Sequence, residues 1–393
     1  MSKRIKIAIY SGIVPSTTFI ERLSKGLAAK GSHLFLFGLK NGRVPPLPNS
    51  TYITYSNMLS KLLVLIRYTF LLFVIKPKEK RKLDKIISKS KKKQLVLKLK
   101  YYPVLYHCPD IFHLQWAKSV EDWIWVQEFG IKLIVSLRGA HINYSPLVDS
   151  KIATTYEALF PKVDGFHAVS KAISLEAMKY HAALHKIKVV YSGLELERMP
   201  FQLKIVDVNT PLKIISIGRA HWKKGYTYAL NSAYLLKVAG VDFQYTIVGV
   251  GSNEELTFQR SQLELENEVL FLEKLSFEEV LESIRKADVL LLPSVEEGIA
   301  NVVLEAMALG TLVISTNCGG MDEVIVDNEN GFLVPIRNSE VMASVLKRIS
   351  ELPLPTYQKI VIRARNTIEE QHNHKKMVVE MRDLYQKVLN TEL

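Results

Sequence analysis

Short apolar runs recur along the whole chain and alternate with segments of helical periodicity. The runs are rich in Ile, Val, Leu and Phe and lie at 5–10, 34–37, 133–137, 187–191, 214–217, 245–248, 289–292 and 312–315. Strands that are buried on both faces of a parallel sheet have this continuous apolar character, and helices between them provide the crossovers. The pattern predicts an α/β protein with doubly wound parallel sheets.

The length of 393 residues exceeds what one hydrophobic core usually organises, so we expect two domains. The segment 199–211 has no clear hydrophobic period and contains two prolines, as expected for a hinge. We place the boundary near residue 205, between a first domain at 1–204 and a second domain at 205–374. Apolar residues at helical spacing in the tail predict a final amphipathic helix at 375–393.

Two carboxylates, Glu297 and Glu305, flank a turn at Gly298 that leads from a predicted strand into a predicted helix. The first turn of a helix leaves backbone N–H groups without partners, so it can cradle an anion or a hydroxyl-rich ligand. Glu305 lies about two helical turns into this helix, roughly 12 Å along the axis at ~1.5 Å per residue. The two acids could therefore hold different parts of one long polyhydroxylated ligand.

A basic loop follows the predicted strand at 214–217. Gly218 ends the strand, and Arg219 and Lys224 flank the loop before a helix that begins near Tyr226. In a doubly wound sheet this loop and the loop at Glu297 would both open at the carboxyl edge, where ligands bind. The planar fork of arginine matches phosphate oxygens and lysine adds a mobile charge, so the pair suits a diphosphate.

The net charge of +13 is concentrated in one segment. Between Lys76 and Lys100 there are twelve Lys or Arg and two acids, which gives a local charge of +10. The 14 residues before it, 62–75, are largely apolar around Arg67 and too short for an ordinary membrane span of about 20 residues. We therefore predict an insertion at about 58–100 that contains an in-plane or partly inserted helix at an anionic membrane surface.

Two other interpretations of this segment stay open. It could be a core helix followed by a solvated basic helix. It could also neutralise nucleic-acid phosphates. Because no recognised nucleic-acid module accompanies the charge, we expect no nucleic-acid partner.

Several motifs occur in a fixed order around the two loops. They are GRAHWKKGY, EEGIANVVLEAMALG, STNCGGMDEVI and NGFLVP, preceded in the first half by PSTTFI, FHAVSK and KVVYSG. Together they resemble the family 4 retaining glycosyltransferases of the GT-B fold, especially bacterial exopolysaccharide, colanic acid and lipopolysaccharide transferases. The likeness covers most of the chain outside 50–105. It implies two Rossmann-like domains that face a central cleft, with the final helix crossing back to the first, acceptor-binding domain.

The resemblance also implies an activity: transfer of a hexose from a UDP- or GDP-sugar to a growing, lipid-linked cell-surface polysaccharide, with retention of anomeric configuration. Arg219 and Lys224 would clamp the diphosphate, Glu297 would accept hydrogen bonds from the sugar, and Glu305 would hold the ribose. The remaining donor-binding candidates are Gly218, Gly298, Ile299, Ala300, Asn301 and Val302.

The chain departs from the family at two places in its first half. After the strand at 133–137, many members have a histidine near the reacting sugar, whereas this chain has Arg138. Many members have a Gly-Gly loop after the first strand, whereas this chain has a Ser-rich segment that includes Ser16. Arg138, Ser16 and His141 are therefore candidates for the acceptor or phosphate side. His113 lies just past a predicted strand end, so it could line the same side.

We expect no cofactor and no metal. The chain contains no Asp-x-Asp, and its histidines have no ligand spacing with Cys or carboxylates. Its two cysteines, Cys108 and Cys318, are far apart in sequence and do not indicate a disulfide scaffold. The sequence begins without a signal-peptide pattern, so we expect a cytoplasmic protein, peripheral on the inner face of the plasma membrane.

Two alternative functions remain. A nucleotide-sugar epimerase of similar shape would convert its substrate without an acceptor, and an inactive membrane-docked adaptor would bind no donor.

Overall fold

The structure is a computed structural model that describes residues 4–44, 46–204 and 210–390. The chain divides into two compact units. Unit 1 comprises residues 1–169, 174–190 and 374–393, and unit 2 comprises residues 170–173 and 191–373. The domain boundary predicted near residue 205 lies outside the described residues.

The described residues form two entirely parallel sheets, one in each unit. The strands of unit 1 are β1 (Lys6–Val14), β2 (His33–Lys40), β3 (Ser50–Tyr55), β4 (Ile111–Leu114), β5 (Lys132–Leu137), β6 (Gly165–Ala168) and β7 (Ile187–Val189). Those of unit 2 are β8 (Leu212–Ile217), β9 (Phe243–Val248), β10 (Val269–Leu272), β11 (Val289–Leu292), β12 (Leu312–Thr316) and β13 (Phe332–Val334). The predicted fold class, two doubly wound Rossmann-like α/β units, is confirmed.

Helices connect nearly all of these strands. In the first half they are α1 (Thr18–Ala29), α2 (Met58–Ile75), α3 (Pro77–Ser88), α4 (Gln94–His107), α5 (Val120–Trp123), α6 (Ala140–Asn143), α7 (Ser145–Val148), α8 (Ser150–Leu159) and α9 (Lys171–Met178). In the second half they are α10 (Tyr226–Val238), α11 (Glu254–Gln262), α12 (Phe277–Lys286), α13 (Asn301–Leu309), α14 (Ser339–Ser350), α15 (Leu354–Gln371) and α16 (His374–Asn390).

The sheet of unit 1 has the order β3-β2-β1-β4-β5-β6-β7. The chain builds the sheet outwards from β1 in one direction and then from β4 in the other, so the strand order reverses between β1 and β4. In sheets of this kind, ligands bind beside such a reversal, at the carboxyl ends of the strands. The segments that follow β1, β4 and β5 therefore emerge side by side at one edge of unit 1.

The final helix α16 belongs to unit 1, as the resemblance implies. Its apolar face packs against α1 and β1 in one core that includes Ile7, Leu27 and Leu384. The two helices can approach closely because Gly26 has no Cβ. A Cβ added there would lie only 2.2 Å from Cγ2 of Val378. The core of unit 1 is thus completed by the last described residues of the chain.

The sheet of unit 2 has the order β10-β9-β8-β11-β12-β13, and its strand order reverses between β8 and β11. Residues 289 and 290 of β11 pair with residues 214 and 215 of β8. Because these two strands are neighbours and parallel, the loops that follow them open at the same edge. The basic loop and the loop at Glu297 are therefore adjacent.

The basic insertion folds as the three helices α2, α3 and α4. Helix α2 has 18 residues, longer than the apolar run itself, because Asn57 and Ser60 form a capping box that starts it earlier. By length and composition it is the one helix in the described chain that could cross a membrane. Only Tyr68 and Leu72 of this helix are buried, so the interpretation as a core helix is wrong for the described structure.

Candidate functional site

The basic loop of unit 2 is held against the loop that follows β11. After β8 the chain forms a short 3-10 turn at Trp222–Lys224, and Gly225 then starts α10 with a φ of 66°. A Cβ on Gly225 would lie 2.0 Å from the carbonyl oxygen of Pro293. The N–H of Val295 donates to the carbonyl of Lys223 at 2.7 Å. The two loops therefore form one continuous surface.

This contact brings a predicted cation and a predicted acid together. Nζ of Lys224 lies 2.6 Å from Oε1 of Glu297, and the side chains are 16% and 11% exposed. The hydroxyl of Ser294 donates to the same carboxylate oxygen at 3.1 Å. An ion pair with so little solvent needs such additional hydrogen bonds to offset its desolvation. The pair is thus held at a fixed place at the carboxyl edge of the sheet.

The turn at Glu297 is also fixed from the other side, by the Gly319-Gly320 segment. Gly319 has a φ of 57°, and a Cβ there would lie 1.9 Å from the carbonyl oxygen of Glu297. The N–H of Gly320 donates to the carbonyl of Gly298 at 2.7 Å. Because only glycine fits between these backbones, this segment sets the position of the turn.

Helix α13 begins directly after this turn. Its N-cap residue Ala300 provides no side-chain cap, and the N–H of Ala300 points at Sδ of Met321 at 3.5 Å. Within the described residues, Oδ1 of Asn301 is buried without a hydrogen-bond partner. Glu305, further along α13, is buried. Gly298, Ile299 and Val302 complete the stretch, which presents a helix N-terminus beside the Lys224 pair.

Arg219 and the aromatic residues of the basic loop have different environments. The side chain of Arg219 is exposed. Tyr226 is buried beneath the loop and donates to the carbonyl of Gly218 at 3.0 Å, and burial raises its pKa. Trp222 is 59% exposed and lines a cavity of about 300 Å³ together with Arg337. Tyr226 therefore supports the loop, whereas Arg219 and Trp222 are accessible to a ligand.

Unit 1 holds the other predicted residues. The guanidinium of Arg138, just after β5, donates to Oε1 of Gln115 at 3.1 Å and lies 4.3 Å from the ring centre of Phe19. His141 stacks on Trp116 with ring centres 5.3 Å apart. Ser16 follows β1, and its backbone N–H donates to Glu21 at 2.7 Å. Arg138, His141 and Ser16 thus lie beyond the carboxyl ends of neighbouring strands of one sheet.

The expectation that His113 lines the acceptor side is wrong. His113 lies inside β4 and is fully buried. Its Nδ1 is 2.8 Å from the hydroxyl of Tyr385 on α16, and its Nε2 is 2.8 Å from Oγ of Ser136. Ser136 also contacts Nδ1 of His167 at 2.9 Å. These histidines form a buried network that joins α16 to the sheet.

Sequence reasoning missed several residues that hold these sites. Ser294 and Met321 in unit 2, and Phe19 and Gln115 in unit 1, contact the predicted residues. A polar residue within two positions of the end of a buried strand was the available signal for Ser294 and Gln115. In the described parts of the chain, no group of three or more His, Cys, Asp or Glu side chains is arranged to hold a metal ion.

Comparisons with known proteins show which proteins this chain resembles. Residues 200–367 match the model of the family described as "Glycosyl transferases group 1". The chain is 30% identical over 250 residues to the amylovoran biosynthesis glycosyltransferase AmsK of Erwinia amylovora, covering 62% of this chain and 60% of that protein. It is 33% identical over 239 residues to the putative colanic acid biosynthesis glycosyltransferase WcaL of Escherichia coli K12, covering 59% and 58%. The matched region thus spans about three fifths of each relative.

The fold as a whole is also found among solved structures. The crystal structure of Anabaena Alr3699/HepE in complex with UDP-glucose has a TM-score of 0.71 at 16% identity. The match covers 98% of this chain and 100% of that one. At this identity the likeness concerns the fold alone.

Proposed function

We propose that the chain is a retaining hexosyltransferase, because residues 200–367 match the model of the family described as "Glycosyl transferases group 1". Its donor is a nucleotide diphosphate sugar, and its acceptor is a growing cell-surface polysaccharide, carried on a lipid. The observation that carries the proposal is the contact between Lys224 and Glu297 beside the start of α13. It unites a cation for phosphate, an acid for hydroxyls and a helix N-terminus for a second anionic group.

The names of the relatives favour the polysaccharide. AmsK and WcaL are named as glycosyltransferases of amylovoran and colanic acid biosynthesis. The likeness to HepE concerns the fold alone, so the proposed donor stays either a UDP-sugar or a GDP-sugar. The polysaccharide acceptor is a proposal for this chain.

Each residue of the site has a proposed task in the transfer. Arg219 and Lys224 bind the diphosphate and stabilise the charge that develops on it as the glycosidic bond breaks. Glu297 accepts hydrogen bonds from sugar hydroxyls and keeps Lys224 in place through their ion pair. Glu305 accepts from the ribose, and the backbone N–H groups of Ile299, Asn301 and Val302 face the sugar and phosphate.

The reaction is proposed as front-side attack. The acceptor oxygen forms a bond to the anomeric carbon on the face that the diphosphate leaves, so configuration is retained. The bond from the anomeric carbon to the phosphate oxygen breaks, and its electron pair stays on that oxygen. The proton of the acceptor hydroxyl moves to the same oxygen. Because the two cations supply positive charge to the leaving group, we propose that transfer needs no metal.

Donor binding tests the proposal directly. Titration calorimetry of the whole chain with UDP, GDP and UDP-glucose should give heat with at least one of them. The Lys224→Ala variant should bind roughly 10–100-fold more weakly, because a hydrogen bond to a charged group contributes about 1.5–3 kcal/mol. The neighbouring Lys223→Ala is the matched control and should bind as the unchanged chain does, since the contact to β11 uses only the backbone of Lys223.

The same experiment separates the alternatives. An inactive adaptor would give no heat with any nucleotide. An epimerase would bind the donor but convert UDP-glucose without an added acceptor, which chromatography of the sugar would detect. Equal affinities of Lys224→Ala and the unchanged chain would contradict the diphosphate clamp.

We also propose that the chain is peripheral on the cytoplasmic face of the plasma membrane. Helix α2 exposes one continuous apolar stripe, which we call the α2 stripe; it consists of Leu59, Leu62, Leu63, Ile66, Phe70, Phe73 and Val74. The segment that follows, α3 and its end, carries exposed cations that include Arg81, Lys85 and Lys89. Apolar side chains that enter the acyl boundary beside cations that meet anionic headgroups are typical of interfacial helices. Such docking would bring the site to a lipid-linked acceptor.

A further inference from the structure

A group of side chains in unit 1 surrounds the guanidinium of Arg138, which forms no ion pair with a described carboxylate. We call it the Arg138 cluster; it consists of Ser16, Phe19, Gln115 and Arg138. Ser16, Gln115 and Arg138 follow β1, β4 and β5, which are consecutive neighbours in the sheet. Phe19, at the start of α1, packs under the guanidinium at 4.3 Å. The cluster therefore lies at the carboxyl edge, beside the reversal of strand order.

The positive charge of Arg138 is not compensated within the described part of the chain. Its hydrogen-bond partner is the amide oxygen of Gln115, at 3.1 Å, and its nearest aromatic neighbour is Phe19. No described carboxylate forms an ion pair with it, and burial lowers its pKa to about 9. Glu21, the acid nearest in sequence to the cluster, instead accepts from the backbone of Ser16. Arg138 is partly buried and its Nε is fully buried. Charges that are removed from water are normally paired, so this arrangement needs an explanation.

The cluster also contains polar atoms that lack partners among the described residues. Nε of Arg138, Nε2 of Gln115 and Oγ of Ser16 are each buried without a hydrogen bond. Gln115 is fully buried, and its amide oxygen is already used by Arg138. Buried polar groups are almost always hydrogen-bonded. Guanidinium and amide N–H groups can only donate, so the group that is missing here is an acceptor.

We propose that the Arg138 cluster binds an oxyanion, a carboxylate or a phosphate group, of the acceptor. This inference rests on the proposed function, since it assigns the acceptor to unit 1. A neutral sugar hydroxyl would satisfy one donor but leave the buried charge uncompensated. A carboxylate or phosphate compensates the charge and also accepts the hydrogen bonds. Its several oxygens can meet the Arg138 fork and the Gln115 amide together. The acceptor is therefore acidic near the sugar that receives the hexose.

Two sources of this oxyanion share the same chemistry. It can be the carboxylate of a uronic acid in the glycan, or the phosphate that joins the first sugar to a lipid. The plane of a carboxylate matches the guanidinium fork in one orientation, whereas a phosphate matches it in several. Glucuronate and inorganic phosphate are therefore the two probes.

The test uses the whole chain without nucleotide. The midpoint of thermal unfolding is measured against increasing glucuronate and, separately, inorganic phosphate, with sodium chloride at equal ionic strength and glucose as controls. A ligand that binds only the folded chain raises this midpoint as its concentration passes the dissociation constant. We expect at least one of the two anions to raise the unfolding midpoint above the value measured with either control. The stronger anion identifies the source.

Variants then locate the binding. Arg138→Met, which keeps length and apolar contact with Phe19, should weaken the binding of the active anion by roughly 10–100-fold. Gln115→Leu should weaken it less, by removing one donor while leaving the charge. Lys30→Ala, at an exposed position of the same unit, should leave it unchanged. Lys224→Ala shows how much of the effect of phosphate comes from the loop after β8. If Arg138→Met does not fold, the comparison of Gln115→Leu with Lys30→Ala decides the matter.

Three outcomes would overturn the proposal. The chloride control could reproduce the whole effect, which would mean screening only. Arg138→Met or, in its place, Gln115→Leu could retain full affinity. Lys224→Ala could abolish the effect, which would assign the anion to the donor loop. Nucleotide binding by the same preparations is measured separately, so these outcomes are distinguishable from failure of the donor site.

Discussion

At the scale of single residues, the basic loop after β8 and the loop at Glu297 depend on positions where there is no room for a Cβ. Gly225 and Gly319 each face a backbone carbonyl, at 2.0 and 1.9 Å from where a Cβ would be. A larger residue at either position must push one loop away from the other. The ion pair of Lys224 and Glu297 spans the same interface, so the spacing of these backbones sets the spacing of the charges.

Gly319→Ala should therefore destabilise the chain more than a positive φ alone can explain. The matched control is Gly240→Ala, since Gly240 has a φ of 70° with nothing within 4 Å of its missing Cβ. Both variants carry the same backbone strain, but only the first creates an overlap. We expect Gly319→Ala to lose about 1–3 kcal/mol more free energy of unfolding than the control, the usual range for overpacking. Urea denaturation of both variants measures the difference, and equal losses would refute the close approach.

At the scale of elements, the apolar runs that were predicted as strands lie in strands. Examples are the runs at 214–217, 245–248 and 289–292. The strands β3, β4, β6, β10 and β13 were not predicted. Two of them, β4 and β6, each contain a histidine, His113 or His167, in place of an apolar residue. Those histidines are tolerated because Ser136 and Tyr385 supply their hydrogen bonds. Such partners are distant in sequence, so local pattern could not reveal them.

The same reasoning explains what could be predicted of the sites. Lys224 and Glu297 could be placed together because parallel neighbouring strands put their loops at one edge. The position of Arg138 over Phe19 could not be predicted, because this contact depends on how α1 packs beside the segment that follows β5. The order of strands and helices can be predicted from a periodic sequence, whereas side-chain packing between remote segments cannot.

Helix α2 carries the prediction that belongs to this scale. Phe70→Asp with Phe73→Asp should reduce sedimentation with vesicles of phosphatidylglycerol and phosphatidylcholine, because both rings leave the acyl boundary. The matched control is Phe258→Asp in unit 2, since Phe258 is 66% exposed against 65% and 68% for Phe70 and Phe73. Substitutions at positions this exposed should leave folding intact. Pure phosphatidylcholine should bind the unchanged chain more weakly, because each cation near an anionic surface contributes about 1 kcal/mol.

Vesicle binding that the double substitution does not reduce would show that the α2 stripe is not the docking surface. Binding that is independent of phosphatidylglycerol would show that the basic segment contributes nothing.

At the scale of the whole molecule, the buried histidine network makes stability depend on pH. Burial lowers the pKa of His113 well below its usual 6.5 and that of His167 to about 3. The charged groups that face the pair include Arg138, which lowers both pKa values further. Below pH 6.5 the unfolded chain therefore binds protons that the folded chain does not. The free energy of unfolding should fall as pH drops from 6.5, by up to about 1.4 kcal/mol per pH unit for each histidine.

Urea unfolding at several pH values, followed by tryptophan fluorescence, measures this slope, since three of the four tryptophans lie in unit 1. His167→Gln should reduce the slope, and His185→Gln, at an exposed position outside the network, is the control. A slope that is unchanged in His167→Gln would contradict the assignment.

The return of α16 to unit 1 has a consequence for biosynthesis. Residues 191–373 are synthesised before the helix at 374–390 that completes the other core. On the ribosome, the later-encoded unit can therefore finish its core while the earlier-encoded one still lacks Met381, Leu384 and Tyr385. Until residues 374–390 have been synthesised, a nascent chain of this protein thus exposes the surface of β4 at His113 that Tyr385 covers in the folded unit. Truncation inside α16 would damage the unit that is encoded first.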